Sequence, residues 1–253
     1  MYYNVIADIR KQNKDRTNLT IEIDNKIKEI YKPVDHNKYK PVFDFIISQF
    51  PDYKEKIEKA EVFLVTKEVL DKFNIPDGGG GFFNIVTGTI VIVEEIDKED
   101  FYWEFTKNPN NIETTLVHEL THYISNLISP SRFYTDDEEF ANEYTVRYCI
   151  DVLEKDKEYI VDNVIPFFGA AHVKDIIDNA ICKKYGSLSN FRTITSLLKE
   201  EQYKDIMKNI YKETEEDGKI KAREWNLNFI NKIYKLNKNS RQEKKENDFC
   251  LEF

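Results

Sequence analysis

Two histidines and a glutamate stand together as His118-Glu119-Leu120-Thr121-His122, the pattern H-E-x-x-H. On a helix, residues four apart lie on one face, so both imidazoles can approach a single tetrahedral ion. Glu119, one step round, then reaches a water bound to that ion. Zinc lowers the pKa of such a water towards about 7, and a neighbouring carboxylate can take its proton as the oxygen attacks a peptide carbonyl. The same carboxylate can return the proton to the leaving amine. The pattern therefore predicts His118 and His122 as ligands of one Zn2+ ion and Glu119 as the general base. The competing reading is a solvated helical face that carries these side chains by coincidence. Two features oppose it: the chain has only four histidines, two of them here, and the motif is flanked by apolar Leu116, Val117, Tyr123 and Ile124.

The chemistry requires the motif to sit on a helix with a second element facing it. From about Asn111 to Ile128, the residues Ile112, Leu116, Leu120, Tyr123, Ile124 and Leu127 recur at three-four spacing, and Pro130 follows. That is an amphipathic helix with a stop signal. A second long helix is predicted through Phe140, Ala141, Tyr144, Tyr148 and Val152, opened by the capping box Thr135-Asp136-Asp137-Glu138. A catalytic zinc takes three protein ligands and keeps one position open. No x-x-Gly-x-x-His continuation follows His122, and the methionines are Met1 and Met207, which disfavours a metzincin with its Met-turn. Carboxylates at the start of the second helix, Glu138 and Glu139 foremost, remain as sources of the third ligand. If Glu138 folds back to complete the capping box, Glu139 takes that place.

Upstream, Leu19 to Ile23 alternates like a short strand, Val42, Phe45, Ile46 and Phe50 mark a helix before Pro51, and Glu61 to Thr66 forms a buried strand. The run Gly78 to Gly81 holds half of the chain's eight glycines. It serves either as a rim over a cleft or as a turn into the next strands. Phe82 to Val86 and Thr89 to Glu94 flank Thr87-Gly88 and predict a hairpin.

Taken together, His118-Glu119-Leu120-Thr121-His122 and Glu138-Glu139-Phe140-Ala141-Asn142 resemble the gluzincin clan of zinc metallopeptidases. The E-x-x-A-N form resembles more narrowly the ImmA/IrrE type of minimal metallopeptidase. The resemblance spans about residues 60 to 155, with a shorter spacer between His122 and Glu138 than that type has. It implies Glu138 as third ligand and Asn142 as the residue that orients a histidine. It further implies a His or Tyr that steadies the oxyanion, for which His172, Tyr123, Tyr144 and Tyr148 are candidates. It also implies an edge strand along which substrate is laid out. Thr89, Ile90, Val91, Ile92, Val93 and Glu94 are assigned to that edge, with an extended peptide pairing antiparallel to them.

The expected fold class is α+β: a zincin-like core with a small twisted sheet and an active-site helix, followed by a mainly helical C-terminal lobe. The expected organisation is a segment over 1–60 that packs on the core, the catalytic core over 61–155, a helical lobe over 156–236 and a polar tail over 237–253. Helices are expected near 172 to 184, 191 to 212 and 219 to 236, punctuated at Gly186 and Gly218. With 37 Lys plus Arg against 46 Asp plus Glu, the net charge of -9 repels phosphate backbones and anionic lipid, which argues against nucleic acid and membrane as partners. No secretory signal or membrane span is legible, and three widely spaced cysteines fit a reducing compartment, so a cytoplasmic location is expected. The expected activity is endopeptidase hydrolysis of a peptide or protein substrate. The rival is a catalytically silent module that keeps the fold and binds a protein partner or regulates one.

Overall fold

The computed structural model describes residues 21–66, 68, 80–94, 112–130, 134–164 and 174–250. These residues form a mixed α+β structure that is mostly helical, with one three-stranded sheet. The chain divides into two compact units, Met1–Asp97 with Asn110–Leu153, and Lys98–Pro109 with Glu154–Phe253.

The first unit contains α1 (21–30), α2 (Lys40–Gln49), the short α3 (Lys54–Ile57), β1 (Val62–Val65), β2 (Gly81–Phe83), β3 (Ile90–Val93), α4 (Ile112–Ile128) and α5 (Tyr134–Asp151). The strand order is β1-β3-β2, with β3 parallel to β1 and antiparallel to β2. Strand residues alternate between two cores, as a pleated sheet covered on both faces requires. Val62, Ile90 and Ile92 face α2 and α4, where they pack with Val42, Phe45, Ile46, Leu116, Leu120 and Ile124. Phe63, Val65, Val91 and Val93 face the other way and pack with Ile27 of α1. Gly88, at a φ of 77°, closes the hairpin in a conformation that L side chains rarely adopt, and the Asn84 side chain accepts from the Val86 N–H at 3.0 Å. The motif helix α4 is thus pinned to the sheet by Leu116, Val117, Leu120 and Ile124, and its remaining side is left for α5.

Two expectations about this unit are corrected. Residues 21–23 of the expected strand Leu19 to Ile23 are helical, and 19–20 lie outside the described residues. Ile23 and Ile27, four apart, both reach the core beside the sheet, so burial at helical period overrides a short local alternation. The assignment of Thr89 to Glu94 as an open edge also fails. β3 is the central strand, paired on one side with β1 and on the other with β2, and all four of its residues are buried. No backbone edge remains there for a peptide. Among the described residues the outermost strand beside the motif helix is β2. Of the glycine run, residues 78 and 79 lie outside the described residues, while Gly80, at a φ of 99°, leads into β2.

The second unit contains α6 (Lys157–Asn163), α7 (Lys174–Tyr185), α8 (Leu188–Thr195) and α9 (Glu200–Cys250). The helix expected over 191 to 212 is interrupted after Thr195, and the break expected at Gly218 is absent. Gly218 lies on a buried stripe with Ile210, Thr214, Ala222, Asn226 and Ile230. Ala222 on that stripe packs against Ile176 and Ile177 of α7. Burial along the stripe outweighs the roughly 1 kcal/mol that a helical glycine costs relative to alanine. The segment expected as a solvated tail from 237 is helical as far as Cys250, in keeping with its Lys, Glu, Arg and Gln content. Among the described residues no helix is long and apolar enough to cross a membrane.

Candidate metal centre

His118 and His122 project from consecutive turns of α4 and meet Glu138, which projects from the first turns of α5. The Nε2 atoms of the two histidines lie 3.0 Å apart. Each Nε2 lies 3.4 Å from a Glu138 oxygen, His118 from Oε2 and His122 from Oε1. One ligand atom from each of the three lies within 4.8 Å of the others, the arrangement needed to hold a metal ion. Ligands bound about 2.0–2.1 Å from a tetrahedral cation stand about 3.3–3.4 Å from one another, close to the spacing seen here.

The ring of His122 is held from behind. Its Nδ1 lies 2.7 Å from Asp137 Oδ2, and a carboxylate can only accept, so Nδ1 carries a proton and Nε2 is the atom turned to the cluster. Burial of the ring works against protonation of Nε2. The hydrogen bond to Glu138 and the charges of Glu119, Glu138 and Asp137 outweigh it and push His122 up to about 9 without a cation. Glu138 shows the reverse balance. Burial raises its proton affinity, yet the His118 and His122 rings hold it well below the usual carboxylate range. A metal entering at neutral pH therefore displaces a proton from His122 rather than from Glu138.

Glu119 is buried at 6% exposure. Burial pushes its carboxyl up, while the nearby His118 and His122 and a hydrogen bond from the Phe83 main-chain N–H pull it down. Ionised, it is an acceptor beside the two imidazoles.

The remaining sequence candidates separate clearly. Glu139 is exposed and is not among the residues whose ligand atoms converge. Glu138 faces the histidines instead of closing a capping box, and Thr135 lies within α5 rather than ahead of it. Asn142 is buried at 5% exposure, and among the described residues its Oδ1 has no hydrogen-bond partner. Tyr148 is excluded as an oxyanion donor: it is fully buried in the core and its hydroxyl donates to Glu113 Oε2 at 3.1 Å. Tyr144 packs tilted against Phe50 and edge-on against Phe140, away from the convergent face of α5. Tyr123, one turn beyond Glu119, packs edge-on against Phe83 with centroids 5.8 Å apart and is the tyrosine of this set placed on the Glu119 side. His172 lies outside the described residues. Sequence reasoning missed Asp137 as the carboxylate behind His122, although a ligating histidine regularly gives its second N–H to such a group and Asp137 directly precedes Glu138.

No protein-family model, curated protein or solved structure matches the chain.

Proposed function

We propose that the chain is a zinc-dependent endopeptidase of zincin-like fold, with His118, His122 and Glu138 as ligands and Glu119 as the base. The observation that carries this reading is the convergence of two imidazoles and one carboxylate beside a second, buried carboxylate, Glu119, that is not among them. Two neutral imidazoles with one carboxylate form a donor set typical of catalytic zinc, which keeps a fourth position open. A zinc ion there would supply a Lewis acid and a water acidic enough to ionise near neutral pH. The chain supplies the rest. Asp137 keeps His122 in one tautomer, the sheet fixes the roll of α4, and Glu119 receives a proton and returns it to the departing amine. Burial limits bulk solvent around Glu119 and raises its affinity for the proton it must carry.

The test is turnover of a generic unfolded protein by the purified chain, lost on chelation and restored by one equivalent of zinc. Stoichiometric zinc without turnover of any substrate would favour the silent module. A narrower expectation follows from the bond behind His122. Asp137→Ala should weaken zinc binding about 10- to 100-fold while the fold is retained, measured by competition with a chromophoric chelator. Unchanged affinity would remove Asp137 from the site.

A further inference from the structure

Strand β2 lies unusually close to the motif helix. Gly81 has an ordinary extended φ, so its glycine is not required by conformation. It is required by space. A Cβ at residue 81 would stand 2.9 Å from the Val91 carbonyl oxygen, 3.0 Å from Thr115 Cγ2 and 3.1 Å from Glu119 Cγ. The first is backbone and the second a β-branched methyl locked on a helix, so neither yields readily. Without a side chain at 81, β2 rests directly on the turn of α4 between Thr115 and Glu119.

The register gives that contact a chemical use. Val93 N–H donates to Gly80 O at 2.7 Å and Asn84 N–H to Thr89 O at 2.8 Å. Antiparallel pairs alternate, so Phe82 turns its backbone groups towards β3, and Gly81 and Phe83 turn theirs to the opposite side. On that side the Phe83 N–H meets the Glu119 carboxylate. The Phe83 ring closes the arrangement by packing on Tyr123, one helical turn past Glu119.

We propose that β2 positions the base: Gly81 lets the strand reach the helix, and the Phe83 N–H grips one oxygen of Glu119 so that the other faces the reacting proton. Gly81 and Phe83 are positioning residues that act through Glu119, and this role rests on the reading of Glu119 as base. It also removes the Phe83 N–H from the groups that β2 can offer an extended peptide, leaving those of Gly81 and the Phe83 carbonyl.

The experiment has two arms on the full chain. In the first, amide exchange is followed by 1H–15N spectroscopy with and without Glu119→Ala. The Phe83 amide should exchange about 10- to 100-fold faster in the variant, as expected for loss of a bond to a charged acceptor, while the Val93 amide stays unchanged. Equal Phe83 exchange in both proteins overturns the proposal. In the second arm, Gly81→Ala should lower kcat about tenfold or more with KM within about threefold and zinc content intact, since a base displaced by a fraction of an ångström loses rate rather than affinity. Unchanged kcat in a folded Gly81→Ala chain also overturns it. The exchange arm needs neither zinc nor turnover, so a parent chain without peptidase activity counts against the enzymatic reading alone.

Discussion

Glu119→Gln is expected to keep zinc at full occupancy and to lower turnover by about 10²- to 10⁴-fold, the range that a positioned base contributes. The substitution preserves shape, and its amide oxygen can still accept the Phe83 N–H, so the buried site has no new cavity to collapse around. It cannot accept and return a proton. Because Glu119 is not among the three residues whose ligand atoms converge, metal affinity should change little. Zinc content by elemental analysis and kcat on a peptide substrate check the two halves separately. A variant that loses zinc would make Glu119 a ligand, and one that keeps its kcat would end its role as base.

Glu138→Ala should produce the largest loss of affinity of any carboxylate substitution in the chain, beyond the roughly 10- to 100-fold that removal of an outer carboxylate costs. Its two oxygens each face one histidine at 3.4 Å, so the variant leaves two imidazoles and a vacant third corner. It also removes the anion that opposes the buried His122 ring, so even the zinc-free protein should bind its His122 proton less tightly. Glu139→Ala, at an exposed position on the same helix, should bind zinc as the parent does. Competition titrations with a chelator of known affinity compare the pair. A reversed result would move the third ligand to Glu139 and return Glu138 to the helix terminus.

Much of this arrangement was legible in the chain itself, for reasons that can be named. The motif helix announced itself because Leu116, Leu120 and Ile124 recur at helical period and Pro130 follows, and the hairpin because Thr87-Gly88 interrupts two β-rich runs. Strand order was not legible. Val91 and Val93 are buried on one face of the sheet and Ile90 and Ile92 on the other, which marks a central strand, but apolar runs alone do not say which neighbour pairs on each side. The edge therefore fell to β3 in sequence reasoning and to β2 in the structure. Gly218 misled for the opposite reason. Its helix-breaking tendency is local, whereas the stripe from Ile210 to Ile230 that buries it emerges only when α9 packs on α7. At the site, spacing brought His118, Glu119 and His122 together, but the contact of His122 with Asp137 depends on how α5 is set against α4, which no local pattern encodes.

The proposed site holds one zinc ion between α4 and α5 on two histidines and one glutamate. X-ray absorption at the zinc edge, on protein loaded with one equivalent, tests it most directly. Two imidazole nitrogens and one or two oxygens at about 2.0–2.2 Å, with no sulfur, are expected, with loss of one oxygen scatterer in Glu138→Ala. A sulfur shell at about 2.3 Å, or a spectrum of hydrated zinc unchanged by His118→Ala and His122→Ala, would contradict it.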